Sequence, residues 1–99
     1  PPPTPLTEQE LPGALEKAFA TGKPEAKELV SQVLASVQAK DYSKAFWAIQ
    51  TLAGVQGMTK EQVTVAARAT ITISGLLQTA QAQGDAKAAA TIQQYRETK

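Results

Sequence analysis

Glu25 and Glu28 stand three residues apart behind Pro24, close enough on one helical face to share a cation, and no other pair in the chain comes nearer to a ligand set. Their position favours a simpler role, because acidic side chains in a first turn compensate the positive end of the helix dipole and its unpaired N–H groups. The usual chemical equipment is otherwise missing. With no cysteine and no histidine there is no thiolate nucleophile, no disulfide, no imidazole base and no Cys- or His-based metal site. The Ser, Thr, Lys, Asp and Glu residues are scattered, with no G-x-S-x-G, no H-E-x-x-H and no glycine loop for phosphate; G-V-Q-G-M, from Gly54 to Met58, is too loose to cradle one. The sequence therefore predicts a non-enzymatic chain with no catalytic residue, no metal and no cofactor.

Recognition is a better prospect than reaction, and the residue that raises it is Trp47, the only tryptophan. It lies in K-D-Y-S-K-A-F-W-A-I-Q-T-L, Lys40 to Leu52, where Tyr42, Ala45, Phe46, Ile49 and Leu52 recur at helical spacing as one apolar stripe. At 100° per residue Trp47 falls on the opposite side, among Ser43, Lys44, Gln50 and Thr51. Two readings follow. Trp47 packs on another element of the same chain, as a large apolar side chain does in a helix buried on two faces. Or it stays exposed with Lys44, Gln50 and Thr51 and anchors a protein partner or a second copy of the chain. Ten Lys and Arg against nine Asp and Glu give a net charge of +1, dispersed along the chain, so no basic stripe for nucleic acid is expected.

The elements that must hold these residues are helices. Aromatics make up 5% of the sequence, strand formers are few, and Ala, Gln and Thr are abundant, a composition suited to helices packed through small side chains. Capping boxes at Thr7-x-x-Glu10 and Thr59-x-x-Gln62, Pro24 as an opening residue, and caps at Asp41 and Asp85 predict five helices near 7–20, 24–39, 41–53, 60–83 and 85–97, with no sheet. A break is expected at Pro12-Gly13, a left-handed cap at Gly22, and a helix end at Gly54. Pro1 to Pro5 read as a Pro-rich linker or tail, or as a ligand for an aromatic groove, ahead of one helical domain over 6–99. The stretch Ala69 to Ser74, A-T-I-T-I-S, alternates like a strand.

An internal repeat overrules that alternation. Sliding the chain by 43 residues brings Ala26 onto Ala69, Ser31 onto Ser74, Leu34 onto Leu77, Lys44 onto Lys87, Ala45 onto Ala88 and Ile49 onto Ile92. It gives nine identities over the 25 positions from Ala26 to Gln50, against roughly two or three for this composition at a random offset. The fold expected is all-α: two stacked antiparallel hairpins, about 24–53 and 67–97, preceded by one helix. The hairpin turns A-K-D-Y-S-K-A and A-Q-G-D-A-K-A-A resemble the gap between the helices of a tetratricopeptide repeat, with Ala45 and Ala88 as the small residues at the crossing. The period is 43 rather than about 34, and no Pro closes either unit. The resemblance implies stacked hairpins that present a surface to a partner, and it carries over no binding residue.

Two function classes are therefore in play: a helical protein-interaction module, and a structural spacer or cap within a larger, exported bacterial-type protein. No apolar run reaches the length of a membrane span and no basic segment precedes an apolar one, so neither a span nor a signal peptide is expected within these residues. The start at Pro1 is compatible with a trimmed fragment, and a cysteine-free chain suits cytosol and periplasm equally.

Overall fold

The computed structural model describes residues 2–98. Pro1, where the expected linker begins, and Lys99, where the helical domain was to end, lie outside the described residues. Five helices follow in order: α1 (Leu11–Ala18), α2 (Pro24–Gln38), α3 (Tyr42–Ala53), α4 (Lys60–Ala82) and α5 (Ala86–Glu97). There is no strand among the described residues, and none of these helices is long and apolar enough to cross a membrane.

Three of the caps form as their sequences dictate. Asp41 accepts from the Lys44 amide at 3.1 Å and Asp85 from the Ala88 amide at 3.0 Å. Thr59 and Gln62 satisfy each other's backbone N–H groups at 2.9 and 3.1 Å, fixing the start of α4. Thr7 and Glu10 do the same at 2.8 and 3.1 Å, but their box closes a turn ahead of the helix. The expected start at residue 7 and the break at Pro12-Gly13 are thus corrected together. α1 begins at Leu11, which puts Pro12 at its second position, where the missing N–H had no helical partner to lose. Gly22 is a second correction, since its φ is not positive. It is small because a Cβ there would stand 3.1 Å from the Phe19 carbonyl oxygen.

Residues 69 to 74 are helical, in the middle of α4. Their period-two look arises because Ile71 and Ile73 sit on opposite sides of the helix, one exposed and one buried. The threonines between them fit because their hydroxyls bond helix carbonyls, Thr70 to Ala66 at 2.8 Å and Thr72 to Arg68 at 3.1 Å. Thr72 also donates to the Leu6 carbonyl at 2.6 Å, and Arg68 Nε donates to that of Thr4 at 3.0 Å. With Leu6 buried, the segment before α1 is clipped along α4 from Thr4 onward.

Packing joins the helices into a ring around a single apolar core. α1 touches α2 and α4, α3 touches α2 and α4, and the diagonal pairs stay apart. Leu11, Leu15, Val33, Ile49, Leu52 and Ile73 fill the centre. α5 lies outside the ring, against α4 and α3.

The repeat is visible in the burial pattern and slips at the turns. Ala26 and Ala69, Val30 and Ile73, and Ala45 and Ala88 are buried pairs at the 43-residue offset. The turns correspond one residue later: Asp41 N–H reaches the Ser36 carbonyl at 2.9 Å, and Asp85 N–H reaches that of Ala80 at 3.0 Å. In each, the residue just before the cap takes positive φ, 60° at Lys40 and 97° at Gly84. α4 therefore runs one residue further before turning, and the gapless alignment of Asp41 with Gly84 is corrected to Asp41 with Asp85. Lys40 tolerates a conformation suited to glycine, so Lys40→Gly should raise stability by about 0.5–1 kcal/mol. An increase in the urea midpoint at unchanged slope is the expected reading.

Candidate interaction surface

α3 sets the stage, because it is the one helix in contact with α2, α4 and α5 together. Its stripe of Ala45, Ala48, Ile49 and Leu52 is consumed by the core, and Tyr42 is half-buried at its start. Burial pushes the Tyr42 phenol above its ordinary pKa, with Glu8 adding to the shift. On the other side of the helix stand the four residues singled out by the sequence. Lys44 and Thr51 are exposed, Gln50 is half-buried, and Trp47 is 38% exposed. The Thr51 hydroxyl donates to the Trp47 carbonyl at 2.9 Å, which ties one turn of α3 to the next. The four share a helical side and are not drawn into one cluster.

Trp47 packs on two rings of its own chain and keeps 38% of its surface in solvent. Its ring lies edge-on to Phe46 at 5.4 Å and 71°, and edge-on to Tyr95 of α5 at 6.4 Å and 63°. Phe46 and Tyr95 are themselves perpendicular, with centroids 5.0 Å apart. Three rings in T-shaped contact hold the indole in one orientation while much of it remains in solvent. Tyr95 is the member the sequence did not connect to Trp47. In the sequence it stands at helical spacing from Ala88 and Ile92, and its approach depends on how α5 crosses α3.

Beside these rings, a cleft of about 420 Å³ opens between α4 and α5. Phe46 forms its floor; Ser74, Leu77, Gln78 and Gln81 of α4 and Ile92, Tyr95 and Arg96 of α5 form its walls. Arg96 is the one charged group in the lining and has no ion pair among the described residues. Ile92 and Arg96, from outside the predicted set, thus stand at this edge above the buried Phe46 and Leu77.

The far end of α5 is pinned. Lys87 Nζ donates to both carboxylate oxygens of Asp41 at 2.9 and 3.1 Å, linking the start of α5 to the start of α3. That hydrogen bond, followed by the one from the Lys44 amide, holds the Asp41 carboxyl below its ordinary pKa. No family model, curated protein or solved structure matches this chain. The surface therefore has to be read from its own chemistry. Glu25 and Glu28 are exposed on α2, and no cluster of three or more acidic groups that could hold a metal occurs among the described residues.

Proposed function

We propose that the chain is a non-enzymatic helical interaction module that grips a protein partner along the edge formed by Trp47 and Tyr95. The observation that carries this reading is the held but exposed indole. An aromatic side chain already fixed by its neighbours loses little conformational freedom on binding and offers a large apolar area, the properties of an interface anchor. Lys44, Gln50 and Thr51 supply polar contacts along the same side of α3. The stacked hairpins, similar in their turns to tetratricopeptide repeats, act as the rigid support for that edge.

The alternative, a spacer or cap of a larger protein with no binding site of its own, draws on the same ring cluster. In that reading Trp47 is an internal strut that fastens α5. A display selection of helical and extended peptide libraries against the chain separates the two. The module reading predicts binders whose affinity falls when Trp47→Ala is presented instead, with the variant's helical circular dichroism retained. Binders indifferent to Trp47→Ala, or no binders at all, favour the spacer.

A further inference from the structure

The segment before α1 is held as a bound peptide is held. Its contacts run through two backbone carbonyls, Thr4 to Arg68 at 3.0 Å and Leu6 to Thr72 at 2.6 Å, and through the Leu6 side chain, which is buried while Pro2, Pro3, Thr4 and Pro5 are exposed. Its N–H groups take no part. Positions 2, 3 and 5 are proline and have none, and the amides of Thr4 and Leu6 donate to nothing among the described residues.

The spacing accounts for the fit. Arg68 and Thr72 are four residues apart, a rise of about 6 Å along α4, and two residues of an extended proline-type chain also advance about 6 Å. Donors one turn apart on the helix thus meet alternate carbonyls of the segment. Pro5 fixes its own φ and keeps Thr4 out of the helical region, so little freedom is lost on docking. The turn that follows stands on its own bonds: Thr7 and Glu10 cap each other at 2.8 and 3.1 Å, and the Glu10 amide reaches the Thr7 carbonyl at 3.1 Å. α1 therefore keeps its start when the segment leaves, and nothing in the grip requires the covalent link at Thr7.

We propose that the α4 surface around Arg68 and Thr72, together with the pocket that holds Leu6, is a recognition site for an extended proline-leucine segment of a partner protein, occupied in cis by Thr4, Pro5 and Leu6. A second copy of the chain is a poor source. Exchange of segments between copies makes no bond that each copy does not already make in cis, where the effective concentration is millimolar. The chain's own segment acts as a competitor that sets a threshold affinity for the partner. The site is independent of the Trp47 edge, since Leu6, Arg68 and Thr72 belong neither to the ring cluster nor to the cleft beside it.

The test uses the full chain carrying Leu6→Ala, which empties the pocket, and a capped synthetic peptide with the sequence of residues 1–7. Amide shifts of the isotope-labelled chain report binding. The peptide should shift the amides from Arg68 to Thr72 and bind this variant roughly tenfold more tightly than the wild-type chain, whose site is filled. Leu6→Ala in the peptide, or Arg68→Ala with Thr72→Val added to the chain, should weaken binding about tenfold. No binding at millimolar peptide, equal affinity for both chains, or shifts confined to other helices would each overturn the proposal, as would sedimentation of the wild-type chain as a dimer that Leu6→Ala returns to monomer. If the Leu6→Ala chain does not fold, Arg68→Ala with Thr72→Val alone decides: it should loosen the segment and move the Leu6 methyl resonances toward random-coil positions while the helices persist. Leu6 methyls that stay in place would show that the two donors do not hold the segment, and the proposal fails.

Discussion

Phe46→Ala should lower stability by about 3–5 kcal/mol, the range for deleting a buried aromatic ring from a well-packed site. Phe46 is 3% exposed and is the buried member of the three-ring cluster, standing perpendicular to Tyr95 and edge-on to Trp47. It is also the floor of the cleft, so the vacated volume opens directly beneath α5. The loss should therefore be uneven. α5 buries only Ala88 and Thr91 fully and depends on the ring cluster for its C-terminal half. Hydrogen exchange in Phe46→Ala should show its amides losing protection before those of α2 and α3. A loss under about 1 kcal/mol, or protection lost uniformly, would mean that the rings do not hold α5.

Gln62→Ala is expected to cost about 2–3 kcal/mol, more than an ordinary cap deletion of about 1 kcal/mol. The side chain is buried and works in two directions. Its Oε1 accepts from the Thr59 amide, and its Nε2 donates to the Ala18 carbonyl at 3.1 Å, joining the end of α1 to the start of α4. Truncation leaves the buried Ala18 carbonyl without that partner, where an unmet group carries its own desolvation penalty, and removes the cap bond from the amide of exposed Thr59. Thr59→Ala removes only the cap and should lose about 1 kcal/mol. If the two variants have equal urea midpoints, the bond to Ala18 contributes nothing.

Much of this architecture is legible in the residues, and the legible parts have local causes. Asp41, Thr59 and Asp85 cap helices because the bonds they make reach only three residues ahead. The stripe of α3 declares its buried face for the same reason: the period of the helix is a local property. Even the strand-like run from Ala69 to Ser74 resolves once the repeat assigns it the role of Ala26 to Ser31. What stays hidden involves separate segments meeting. Nothing near Tyr95 announces Phe46 and Trp47, nothing near Gln62 announces the Ala18 carbonyl, and nothing in P-P-P-T-P-L announces the grip of Arg68 and Thr72 on its backbone. Trp47 illustrates the limit from the other side. Its helical position places it off the stripe, but whether it is strut or anchor depends on the angle at which α5 arrives.

That angle leaves the indole supported and exposed together, and the consequence can be measured on a single substitution. Trp47→Ala, assayed for stability by urea unfolding and for affinity toward a binder selected on the wild-type chain, tests the account most directly. With 38% of the residue in solvent and only edge contacts to two rings, the account predicts a stability loss of about 1–2 kcal/mol and a drop in affinity of roughly thirtyfold or more. A loss of about 3–5 kcal/mol with the affinity of the folded variant unchanged would contradict it, and would make Trp47 a strut that fastens α5 to α3.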